Sequence, residues 1–304
     1  VDYFPKTGDT ARVVQYVAGK REGETLSYSP EGIILQRSTY VANKLEGPSV
    51  TYFTDGSPQH KMEFKADRPH GKKETYHPSG YRLEEMEFKE GVVEGALRRF
   101  FPSGDLQYEA RYKRGVLHGE ERSYFENGQL RNVVRYKKGY QHGKTEAFDG
   151  EGRRVRAGKY RKGDPDGVQL SFFPDGSIEE RAVYKRGIPL GTHQTFYADG
   201  TLQQEAEYDS FGDLIRFKAY HTNGQLAREM PFRREKEHGQ ARFYDEQGRL
   251  TRTKSYVNGQ AEGPEEWYDA AGKVVERKVF RKGVLLREEK ETADESAGNV
   301  EQSR

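Results

Sequence analysis

The segment Gly139-Tyr140-Gln141-His142-Gly143-Lys144-Thr145 has the residue types of a phosphate-binding loop, with glycines to bring backbone amides close and a lysine for the charge. It is one residue short between its glycines, and the surrounding pattern offers no helix to follow it. A second set is His70, His118, His142 and His238, each preceding the same recurring glycine. Imidazoles in a row suggest a metal. Equivalent places in adjacent repeats of a sheet, however, lie two strands, or about 9.6 Å, apart. Zinc–nitrogen bonds are only about 2.0–2.1 Å long, so His118 and His142 cannot share an ion. Asp164 and Asp166 are too few for a calcium loop. No nucleophile, base and orienting group come together in the sequence, and no nucleophile-elbow motif is present. We therefore expect no enzyme, no metal site and no cofactor.

Two stripes remain as candidate binding chemistry. The first is basic: Lys113-Arg114, Lys137-Lys138, Arg161-Lys162 and Lys185-Arg186 recur at one place in four consecutive repeats, and Arg233-Arg234 and Arg281-Lys282 follow later. Pairs projecting from one edge about every 10 Å could protect the sheet from association or form a ladder for an anionic partner. The second is aromatic: Phe53, Phe101, Phe125, Phe173 and Tyr197 each follow a recurring aromatic by one residue. Alternation places them on the opposite face from that aromatic. There they could pack beside a turn or offer a partner-binding strip. The candidate binding residues are the four basic pairs together with Phe101, Phe125, Phe173 and Tyr197.

What positions these residues is a 24-residue repeat without insertion or deletion. Its clearest copy runs from Tyr112 to Tyr136, with Gly115, Gly119, Tyr124, Phe125, Gly128 and Leu130 between. One aromatic series runs Phe4, Tyr28, Tyr52, Tyr76 and on to Tyr268. A second runs Tyr16, Tyr40, Phe64, Phe88 and on to Phe280.

Each unit reads as a β-hairpin. Its first connection is Thr54-Asp55-Gly56, Glu126-Asn127-Gly128 or Thr222-Asn223-Gly224 in different copies. This suits a type I turn whose glycine takes the left-handed conformation of a bulge. The second connection reads as longer and carries two glycines, as in Tyr184 to Gly191. Leu130, Val134 and Tyr136 share one parity, and Arg131 and Arg135 the other, so one face is expected apolar and one charged. The expected fold is all-β: an elongated, antiparallel, single-layer sheet of stacked hairpins. Roughly 23 strands at about 4.8 Å would make a twisted ribbon about 110 Å long. Two connections break the pattern, Asp209 to Ile215 and Arg233 to Gly239. Each is read as drift in a surface loop or as a specialised bend.

Composition agrees with a thin structure. Hydrophobic residues make up 33% and the formal net charge is +2. The small net charge argues against general nucleic-acid binding. No stretch approaches the roughly 18 apolar residues of a membrane-spanning helix. We expect one repeat domain over residues 1–287 in about twelve units, and a disordered charged tail over 288–304. The absence of cysteine excludes disulfides but assigns no compartment. Because the sequence begins at Val1, a processed or truncated start is expected. The compartment stays open, leaning to a bacterial envelope or periplasm, with the cytoplasm as alternative.

The pattern of tyrosine, two spaced glycines, a double aromatic, a turn glycine, leucine and tyrosine resembles the MORN repeat over nearly the whole chain. In particular it is similar to the bacterial variant of the YwqK-type antitoxin family. That resemblance implies stacked hairpins and non-enzymatic work. The expected role is a scaffold mediating protein–protein contact, with an anionic lipid or envelope polymer as another partner class. The alternative is an antitoxin or immunity protein that neutralises a toxin by direct binding.

Overall fold

The computed structural model describes residues 1–290 and contains, among them, strands and turns but no helix. It divides into two compact units, Val1–Asp164 and Pro165–Arg304. Each is an open antiparallel meander in which strands pair with their neighbours in the chain, as a period too short to hold a helix requires. In the first unit Val92–Phe100, Leu106–Lys113, Val116–Tyr124, Leu130–Lys137 and Tyr140–Phe148 pair in that order. In the second, Leu214–Tyr220, Leu226–Arg233, Gly239–Tyr244, Leu250–Val257, Gln260–Tyr268 and Val274–Arg281 do the same. The last strand, Val284–Lys290, takes in three residues of the segment expected as a tail; the remainder, 291–304, lies outside the described residues.

The first connection has the expected form. The Gly128 amide donates to the Phe125 carbonyl at 2.9 Å, and Gly128 sits at φ +81°. Phe125 N–H closes the loop on the Gln129 carbonyl at 2.9 Å.

The second connection differs from the expectation. It is a two-residue hairpin turn: Lys137 pairs with Tyr140, and Lys138 and Gly139 both have positive φ, +55° and +82°. That is the primed turn whose twist matches the flanking strands. The second glycine of each unit lies inside the next strand instead, and strands run to eight or nine residues. Gly119 has φ +98° where the pairing register jumps between Ala110 and Tyr112. At the equivalent bulge in Val92–Phe100, a Cβ on Gly95 would stand 2.2 Å from Glu87 Oε2. The preceding strand lays a side chain over this glycine, and its φ of +101° disfavours any residue with a Cβ.

The two irregular connections separate. At Asp209 to Asp213 the short turn is replaced by the five-residue form of the other edge, with Gly212 at φ +92°. At Arg233 to Lys236 the short turn persists without glycine, Arg234 and Glu235 holding φ +52° and +60°.

A second bulge, opposite the Ser123–Tyr124 step, corrects the parity reading. Ser123 pairs with Asn132 but Tyr124 with Leu130, which skips Arg131. Leu130 therefore shares a face with Tyr124, while Val134 and Tyr136 face the other way. In the first unit the Val134 face holds the buried Leu97 and Ala110, directly opposed. The Tyr124 face carries charges of alternating sign on successive strands: Glu85, Arg98, Glu109 and Arg122, with Arg98–Glu85 at 2.8 Å and Arg122–Glu109 at 3.4 Å. Tyr124 donates its hydroxyl to Glu109 at 3.1 Å. An apolar face and a charged face are both present, but each bears one of the two aromatic series.

Candidate binding surfaces

The basic pairs fall on the edge formed by the short turns. Lys113, Lys137 and Arg161 are the last residues of their strands; Arg114, Lys138 and Lys162 take the first turn position at φ +53°, +55° and +55°. In the second unit Lys185 and Arg186 repeat the arrangement. Not all of them lie in the turns, because Lys113 pairs with Val116 in the ladder. All eight side chains are exposed, and none forms an ion pair within the described residues.

Two hydrogen-bond columns stack these turns on one another. The Gly115 amide donates to the Val93 carbonyl, Gly139 to Leu117 and Gly163 to Gln141, at 2.8, 2.9 and 3.0 Å. Side chains one repeat earlier accept from the first turn residue: Glu22 from Ala42, Glu46 from Ala66, Glu94 from Arg114, and Glu262 from Lys282. In the second unit Asp166 accepts from Arg186 at 3.2 Å and His238 Nδ1 from Asn258 at 3.5 Å. His70, His118 and His142 occupy this same column. Among the described residues His238 caps its turn in this way, whereas the Nδ1 of His70 is buried without a hydrogen-bond partner. The phosphate-loop look-alike is a turn glycine followed by a bulge glycine, Gly143, where an added Cβ would stand 3.5 Å from the Arg135 side chain.

Between the basic pairs the edge shows apolar side chains. Val92, Val116 and Tyr140 are 44%, 43% and 60% exposed. Each is the first residue after a turn, one repeat apart. Sequence patterning alone gave no sign of them, because a strand's first residue is exposed only when its neighbouring turn stacks to one side.

The aromatic stripe is less open. Phe101 is buried, and Phe125, Phe173 and Tyr197 are half-buried. Tyr197 donates its hydroxyl to the Tyr220 carbonyl at 3.1 Å, and the Arg131 guanidinium lies 5.5 Å from the Phe125 ring centre. Phe101 and Phe125 line a shallow groove with Arg99, Tyr108 and Arg131. The Tyr108 hydroxyl is pushed well above the usual tyrosine range, first by burial and then by the Glu121 carboxylate. It stays protonated, a hydrogen-bond donor.

Comparison with known proteins adds the following. No curated protein matches the chain. Among solved structures, it is similar to the TcdB2–TccC3–TEV crystal structure at 14% identity, covering 86% of this chain and 15% of that one, with a TM-score of 0.21. It is also similar to the Tc holotoxin pore of Photorhabdus luminescens, at 11% identity over 94% of this chain and 16% of that one, with a TM-score of 0.17. The chain thus spans a small part of the length of the structures it matches. Five segments, 93–114, 117–138, 165–186, 189–210 and 215–234, match the MORN repeat variant family. Two of them end on Arg114 and Lys138, and a third on Arg186, so these basic pairs close family repeats. In these five segments the hairpins described above are MORN-variant repeats.

Proposed function

We propose that the chain is a non-enzymatic repeat scaffold that binds an anionic partner along its short-turn edge. MORN repeats are in general protein or membrane-lipid interaction modules, and the residues that resembled catalytic or metal-binding motifs have structural places in the turns and bulges. One observation carries the reading: in the first unit three successive turns present six exposed cations without ion pairs among the described residues, interleaved with exposed Val92, Val116 and Tyr140. Cations attract an acidic surface, and apolar side chains among them gain by leaving water at the contact. Acidic lipid headgroups fit this combination best, and an acidic polymer or protein shares the chemistry. The resemblance to antitoxin-family proteins rests on the repeat pattern alone.

Co-sedimentation with vesicles containing phosphatidylserine, and separately with polyglutamate, tests this. Wild type should bind at low salt and release as salt rises, since exposed charges are screened over about 8 Å at physiological ionic strength. Reversing Lys113, Arg114, Lys137, Lys138, Arg161, Lys162, Lys185 and Arg186 to glutamate should abolish binding and leave strand content unchanged. Retained binding in that variant, or none by wild type at low salt, would leave the edge as a solubility device.

A further inference from the structure

The second unit carries a separate surface, on a face of the sheet and not on its edge. Six consecutive strands, from Leu214–Tyr220 to Val274–Arg281, each contribute one residue: Phe217, Arg228, Phe243, Arg252, Trp267 and Lys278. Aromatic and cation alternate without a break. Arg228 lies directly opposite Phe243, Phe243 opposite Arg252, and Arg252 opposite Trp267. The guanidinium of Arg228 is 5.2 Å from the Phe217 ring centre. Arg252 is 4.3 Å from Phe243 and 5.8 Å from Trp267, and Lys278 Nζ is 5.0 Å from Trp267.

The repeat supplies its own control for what the fold needs at these places. From Ser27 to Ala219 the column of Phe243 and Trp267 holds serine, threonine or alanine, with Arg99 the one exception. The column of Lys278, which includes Lys254, is uncharged in every earlier repeat, as at Ala110, Val134 and Met230. Stacking hairpins therefore requires neither large rings nor cations here. Both departures fall in the same two repeats and on the same face. Lys278 lies over Trp267 while Lys254 lies over Tyr256 and Phe280, and the result is a surface unlike the rest of the sheet.

Its chemistry selects an anion. A guanidinium stacked on a ring keeps its N–H edge free for a carboxylate. Arg228 is exposed and has no ion pair among the described residues. Among the other cations of this face, Arg252 and Lys254 share the buried Glu265, each at 3.2 Å, and Lys278 pairs with Glu276 at 3.0 Å and Glu288 at 3.8 Å, which leaves Arg228 as the cation open to a ligand. The rings are already covered by the chain's own cations on the sides where a nucleobase would stack, which disfavours single-stranded nucleic acid. Spacing narrows the choice further. Arg228 and Arg252 stand two strands apart, about 9.6 Å. A polyproline II helix advances about 9.3 Å per turn of three residues. Its every third side chain would reach the two arginines in step, with the intervening prolines spanning the interval between them.

We propose that this face docks an extended acidic peptide in the polyproline II conformation, with a carboxylate at every third residue. The surface is distinct from the short-turn edge, and neither proposal depends on the other.

Trp267 is the only tryptophan in the chain, so its emission reports on this face alone. A synthetic peptide of Glu-Pro-Pro repeats should shift that emission saturably, with affinity that falls as salt rises. A Lys-Pro-Pro peptide should not. Arg228→Ser should weaken binding about tenfold or more, the loss of one charge-assisted hydrogen bond. Because Arg228 is exposed and has no ion pair among the described residues, this variant is expected to keep wild-type circular dichroism, losing only the stack on Phe217. Anisotropy of a labelled peptide repeats the measurement without relying on tryptophan. The proposal is overturned by no response in either assay at millimolar peptide, by equal response to the lysine peptide, or by unchanged affinity in Arg228→Ser. An emission change with oligodeoxythymidylate but not with the acidic peptide overturns it in favour of nucleic acid.

Discussion

Glu94 accepts the backbone N–H of Arg114 at 2.5 Å, twenty residues and one turn further along the chain. The contact fixes a backbone amide that the left-handed conformation of Arg114 would otherwise leave to water. It also ties a basic pair to the repeat before it, so at this turn an acid holds the backbone while Lys113 and Arg114 stay exposed.

Removing that acceptor should loosen the turn. Glu94→Ala is expected to cost about 0.5–1.5 kcal/mol, the net contribution of a single hydrogen bond. Glu94→His should recover part of it at neutral pH, since His238 fills this place elsewhere. Only neutral imidazole accepts, so that recovery should fade as pH falls through about 6.5. Thermal melts of both variants at pH 8 and pH 5 measure this; a pH-independent Glu94→His would contradict the capping role.

The two turn glycines should respond differently to the same change. At Gly128 a Cβ would meet nothing within 4 Å, so Gly128→Val suffers only from φ +81°. That costs about 1–3 kcal/mol. At Gly115 the Cβ would stand 3.1 Å from Val92 Cγ1, so Gly115→Val adds crowding and should lose more. Denaturant melts rank the pair, and equal losses would show that stacking of the turns contributes nothing.

Arg234-Glu235 makes the short turn without glycine. Glu235 holds φ +60°, a conformation that disfavours L-residues by about 1–2 kcal/mol. Glu235→Gly should therefore stabilise the protein by about 1 kcal/mol, after the greater unfolded-state entropy of glycine is subtracted. A rise in Tm is the expected reading; a fall would mean that the carboxylate has a contact worth more than the strain.

Acid should weaken the charged face before the apolar one. Glu85 is buried, with Arg82, Arg98 and Lys72 at 2.5, 2.8 and 3.0 Å. Burial pushes its carboxyl upward, but hydrogen bonds from Arg98 and Lys72 and the neighbouring charges outweigh it and hold the group below the usual range. A carboxyl with a lowered folded pKa contributes its full stability above the unfolded value and loses it as pH falls through the folded one. Stability should thus decline below about pH 4.5. Glu85→Gln should cost about 1–3 kcal/mol at pH 7, less than a fully buried pair because its cations are partly in water. The variant should also flatten the acid limb of a melting-versus-pH curve, and an unchanged limb would place the acid sensitivity elsewhere.

The period, the strands, the turn at Gly128 and the exposure of the basic pairs were legible in the amino-acid order. Each depends on residues a few places apart: a glycine that alone tolerates its φ, or a lysine too well hydrated to bury. Tertiary structure decided what depends on partners across the sheet. The skipped Arg131 sends Leu130 to the face of Tyr124, and the bulge at Gly119 turns an expected loop into strand. Phe101, legible as an aromatic, is buried in the folded sheet. Arg228, Phe243, Arg252 and Trp267 are far apart in the chain and become neighbours only through register. A one-residue bulge shifts every later side chain to the other face, so register, unlike periodicity, is set by pairing between strands and not by any one of them.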